Sequence, residues 1–153
     1  MSTNHERRSR LMGFKIKEQS WGLEDLKKRN RIAQEELMQA DKALGEIEAA
    51  IEAAEKSLRQ VYEEHPLLDL EAIEAARKFL SEQQGLRVHR SREQQRAAQR
   101  VEQAETQLRQ AALYVKALEQ AKAASDSEIS RVRENKLAEH LTELWCQRYG
   151  RNP

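Results

Sequence analysis

The sequence has little of what a globular or disulfide-braced domain needs. One cysteine, Cys146, excludes an internal disulfide and points to a reducing compartment. Two prolines and five glycines in 153 residues leave few places for sharp turns. Aromatic residues make up 5% of the chain against 35% for charged ones, too few to fill a thick core. No apolar run approaches the roughly 18 residues of a membrane span, and the N-terminal stretch lacks the apolar centre of a secretory signal. The formal net charge of +1 recruits neither nucleic acid nor membrane through bulk charge. Catalytic signals are missing as well. His5, His65, His89 and His140 are widely separated and have no companions at zinc-ligand spacing. Cys146 has no neighbouring histidine or helix start to activate its thiol, and there is no glycine-rich phosphate loop. These absences predict a soluble cytoplasmic protein, not an enzyme, with no metal, cofactor or small-molecule substrate.

What is present is material for long helices, chiefly Ala, Glu, Lys, Leu, Arg and Gln. From Leu23 a 3,4 spacing runs without a slip through Leu26, Asn30, Ala33, Leu37, Ala40, Leu44, Ile47, Ile51, Ala54, Leu58 and Val61. An apolar stripe of two positions in seven is a coiled-coil seam rather than the wider face of a globular helix. Glu24 with Lys28, Glu52 with Lys56 and Glu55 with Arg59 sit one turn apart in the favourable order. The first helix is expected over about residues 5–64, ending before Pro66, which disfavours helical geometry at His65. A turn over about 65–90 is expected next. Within it Asp69 caps a short helix from Leu70 that ends at Gly85, with Leu70, Ile73, Ala76, Phe79 and Leu80 as its apolar face. Ser91-Arg92-Glu93-Gln94 has the capping-box pattern and starts or reinforces a second long helix over about 91–149. Its seam reads Ala97, Val101, Ala104, Leu108, Ala111, Val115, Leu118, Lys122, Ser125, Ile129 and Val132, then slips in phase to Leu137, Leu141 and Leu144.

The expected fold is therefore all-α, an elongated antiparallel two-helix coiled-coil hairpin forming one domain, 1–153, with a parallel homodimer as the structural rival. A hairpin with that turn aligns the seams so that Asn30 meets Lys122, Leu37 meets Val115, Ala40 meets Ala111, Leu44 meets Leu108, Ile47 meets Ala104 and Ile51 meets Val101. Polar Asn30 would then face polar Lys122. The same alignment gathers Phe14, Trp21, Trp145 and Tyr149 at one end, where they either plug the coil or anchor a partner. The segment from Asp41 to Glu74 is acidic, and Arg87, Arg90, Arg92, Arg96 and Arg100 are basic, which allows mutual neutralisation. Arg7, Arg8, Arg10, Lys15 and Lys17 have less compensation nearby, and are either solvated or directed at phosphates or an acidic surface.

The run Arg133-Glu134-Asn135-Lys136-Leu137-Ala138-Glu139-His140, on two long helices with basic, aromatic termini, resembles the FliJ and YscO family of bacterial type III export. That resemblance implies a cytoplasmic central stalk that couples a hexameric export ATPase to a membrane export gate. It implies that Leu11, Phe14, Trp21, Leu137, Leu141 and Trp145 form the ATPase-binding tip and that Leu70, Ile73, Phe79 and Leu80 dock the gate. Secretion chaperones are further possible partners, and the membrane is reached only through partners. Two other classes remain open: a generic coiled-coil adaptor or chaperone escort, and a nucleic-acid accessory protein that depends on the basic N-terminal residues.

Overall fold

The computed structural model describes residues 4–64 and 70–150. The described chain is two helices, α1 (Asn4–Glu64) and α2 (Leu70–Tyr149), packed against each other as an all-α antiparallel hairpin. Asp69 and Pro66, expected to cap and to break, lie outside the described residues. Contacts group into two units, Met1–Asp25 with Leu108–Pro153 and Leu26–Gln107.

The expected short helix and its stop at Gly85 are not found. α2 runs unbroken through Gly85, and no described glycine has the positive φ of a helix C-cap. Gly85 is exposed, with strong helix formers on both sides, so it costs only its propensity, about 1 kcal/mol against Ala. The Ser91–Gln94 pattern is likewise interior to the helix. Glu93 does not cap a terminus there. It accepts a hydrogen bond from Arg90 Nη1 at 2.9 Å and pairs with His89 at 2.9 Å.

In unit Leu26–Gln107, joining the two segments changes the register. Arg100 Nη1 donates to Glu36 at 3.1 Å, Gln94 Nε2 donates to Asp41 at 3.0 Å, and Leu58 and Val61 line a groove with Ile73 and Ala76. The expected pairs of Ile47 with Ala104 and Ile51 with Val101 do not form. In unit Met1–Asp25 with Leu108–Pro153, Ser9 donates to Asp126, Ser125 Oγ donates to the His5 carbonyl at 3.2 Å, and Lys122 lies beside Gly13. Lys122 was expected opposite Asn30, so the offset is about 17 residues, nearly five helical turns. The expected Asn30–Lys122 and Leu44–Leu108 layers fall with it.

Leu58 of α1 and Ala76 of α2 line one recess, and Ala40 and Ala43 of α1 line another with Ala97 of α2. Ile73, Ala76, Leu80 and Gln83 fall in phase with Arg90, Gln94 and Ala97, and all are buried or half-buried, as are the seam residues from Leu23 to Leu58. Ala33, Ile51, Ala97 and Val115 are the buried apolar residues among those described, which is what two helices alone can shield. The seam residue Asn30 keeps a buried Oδ1 with no hydrogen-bond partner among the described residues, because the register sets Ala104 across from it.

Two stability outcomes follow from this arrangement. Gly85→Ala is expected to stabilise by about 1 kcal/mol, since nothing lies within 4 Å of an added Cβ and the backbone is already helical. Thermal unfolding followed by circular dichroism checks this, and a lowered midpoint would restore the helix stop at Gly85. Asn30→Leu is expected to raise stability by about 1 kcal/mol by removing the unsatisfied amide, and to loosen the choice of pairing state. Denaturant titration paired with sedimentation reads both effects.

Candidate interaction surfaces

Unit Met1–Asp25 with Leu108–Pro153 carries the first surface. α1 starts level with the Ser125–Arg133 stretch of α2, through the Ser125 bond to His5 and an Arg133–Glu6 ion pair at 3.4 Å. From Glu134 to Tyr149, α2 has no described α1 residue beside it, and every described position from Arg133 onward is exposed. Leu137, Leu141, Leu144, Trp145 and Tyr149 recur there at helical spacing, and the Trp145 and Tyr149 rings stand 5.8 Å apart at a 41° tilt. At about 100° per residue, this stripe points roughly half a turn away from the seam residues Ser125, Ile129 and Val132. The five-residue step from Val132 to Leu137 produces that rotation. Had the step been four, the leucines would have continued the seam.

Leu11, Phe14 and Trp21 do not join this stripe. They are exposed on the side of α1 facing away from α2, and with Gly13 level with Lys122 they lie several turns from Leu137, Leu141 and Trp145. The expected single tip is thus two separate apolar features of one unit, and the expected gathering of four aromatics is absent. Leu144 and Tyr149 complete the α2 stripe. The spacing 137, 141, 144 is its signal in the sequence.

The second surface lies in unit Leu26–Gln107. Ala54, Ser57, Leu58 and Val61 of α1 and Ala72, Ile73 and Ala76 of α2 line an apolar groove. The four expected gate-docking residues divide here. Ile73 lines the groove and Leu80 is half-buried in the seam, whereas Leu70, at 73% exposed, and Phe79 stand outside. Groups of three or more His, Cys, Asp or Glu arranged to hold a metal are absent among the described residues, and Cys146 is exposed. Among the described residues no helix is long and apolar enough to cross a membrane.

A small polar network holds the first unit near its surface. Asp126 accepts from Lys122 Nζ at 2.8 Å and from Ser9, and these bonds, Lys122 first, hold its carboxyl below the usual aspartate range. Comparison of the chain with protein-family models, with curated protein sequences and with solved structures gives no match.

Because the folded-state value for Asp126 is depressed, its contribution is present above the ordinary value of 3.8 and is lost as pH falls through and below it. Asp126→Asn is therefore expected to lower the unfolding midpoint at neutral pH and to leave it unchanged near pH 2. Melting curves of both proteins across that range decide it; equal curves at neutral pH would remove the network from the account.

Proposed function

We propose that the chain is a coupling stalk of a bacterial type III export apparatus, joining a hexameric export ATPase to an export gate from the cytoplasmic side. The observation that supports this best is the stretch of α2 beyond α1, with Leu137, Leu141, Leu144, Trp145 and Tyr149 exposed on one stripe. An unpaired helix end with bulky apolar side chains suits insertion into a ring of subunits, where truncating an aromatic anchor costs most. The Arg133–His140 run that carries the family resemblance falls at the start of this same stretch. In this reading the ATPase-binding tip is Leu137, Leu141 and Trp145 with Leu144 and Tyr149, hydrolysis belongs to the ATPase, and Leu70 and Phe79 meet the gate.

The apolar groove of Ala54, Leu58, Val61, Ile73 and Ala76 favours a second reading, a coiled-coil adaptor that receives an amphipathic helix of a chaperone or cargo. Co-purification with a candidate export ATPase, with ATP turnover as the readout, separates the two. The stalk reading expects complex formation and stimulated turnover, both reduced at least about tenfold by Leu141→Asp with Trp145→Asp. Absence of binding and stimulation would sink it. Partner capture that survives those changes but fails with Val61→Asp would favour the adaptor.

A further inference from the structure

The α1 residues left out of the tip form a feature of their own. Phe14 and Trp21 are seven residues apart on the outermost line of α1, opposite its seam, about 10.5 Å from one another along the axis. They are 70% and 77% exposed, among the most exposed large apolar side chains of the described chain. Arg7 stands on the same line one heptad earlier, and Arg10 and Lys17 lie within about 60° of it. Arg8 and Lys15 flank it on the side of Leu11. Between Arg7 and Trp21 there are five cations and one acid, Glu18. None of the five cations has an ion pair or side-chain hydrogen bond to a described residue, whereas Glu6, just before them, is engaged with Arg133.

We propose that this ridge, Arg7, Arg10, Phe14, Lys17 and Trp21, is a docking surface for an anionic phospholipid membrane, on which α1 lies parallel to the plane of the bilayer. Charge complementarity is the first argument, since cations free of partners inside the chain are available to lipid phosphates and gain from a negative surface potential. Aromatic character is the second. Phe and Trp side chains standing out from a convex helix face have no groove to fill in this unit, but the headgroup boundary accepts such rings, with the indole N–H facing water. The alternative anionic surface, nucleic acid, fits less well. Stacking needs rings laid flat beside a basic channel, and rings about 10.5 Å apart on a ridge cannot take successive bases. The proposal makes membrane contact a property of the chain itself, and it stands independently of the stalk reading.

The test uses the full chain and vesicle flotation, with phosphatidylcholine alone and with about one third phosphatidylglycerol. Binding to the anionic vesicles is expected to be at least about tenfold tighter, and to weaken as salt screens the cations. Phe14→Ser with Trp21→Ser, and separately Arg7→Gln with Arg10→Gln and Lys17→Gln, should each reduce it about tenfold or more. Both sets occupy exposed helical positions, and retained helicity by circular dichroism certifies them. Leu113→Ser, at an exposed leucine on α2, should leave binding within about twofold. Failure of the wild type to bind anionic vesicles overturns the proposal, as does equal binding by the ridge variants or an equal loss with Leu113→Ser. Binding to duplex DNA or RNA without vesicle binding would assign the ridge to phosphodiester backbones instead.

Discussion

The narrowness of the shared seam governs this hairpin. Two helices alone shield little, so among the described apolar residues only Ala33, Ile51, Ala97 and Val115 are buried, and the other seam residues from Leu23 to Leu58 are half covered. Under such thin cover small residues leave gaps: Ala40 and Ala43 with Ala97 line one recess, and Ala54, Ala72 and Ala76 line another. Asn30 and Arg90 each keep a buried atom without a hydrogen-bond partner among the described residues.

The surfaces follow from that register. The described start of α1 is level with the Ser125–Arg133 stretch of α2, and the change of phase after Val132 turns the later α2 leucines away from the seam. The apolar stripe from Leu137 to Tyr149 is thus directed outward by sequence phase. The groove beside Val61 and Ile73 arises differently, from small residues, Ala54, Ala72 and Ala76, that leave room between the two helices. One surface is a ridge and the other a recess, so they suit partners of opposite shape.

Charge is arranged in the same local manner. Close ion pairs are mostly one turn apart along a single helix, as in Lys122 with Asp126, Arg131 with Glu128 and His89 with Glu93. Exposed pairs of this kind support helices more than they select a fold. The cross-helix pairs, Arg100 with Glu36 and Arg133 with Glu6, flank the seam and report the register. The cations from Arg7 to Lys17 belong to neither group and remain available on the surface.

Much of the fold was readable in advance. The 3,4 spacing from Leu23 to Leu58 and from Ala97 to Val132 marked residues that are in fact the less exposed ones, whereas the break expected before Pro66 lies outside the described residues. The phase change after Val132 correctly set the terminal leucines apart. The treatment of Gly85 was the error, because glycine ends a helix only where the backbone turns left-handed, and propensity alone cannot say whether packing along Ile73, Leu80 and Ala97 will carry the helix through. With the helix stop expected at Gly85, the seams were aligned about 17 residues from the observed contacts of Gly13 with Lys122 and Asp41 with Gln94, which gathered Phe14 and Trp21 with Trp145 where the structure keeps them apart. Periodicity along one chain is a local property, so the sequence by itself determined which residues belong to the seams and which to the outer faces. Which seam residue meets which, and so which apolar side chains stay uncovered, depends on contacts between residues far apart in the chain, and only the tertiary structure decided it.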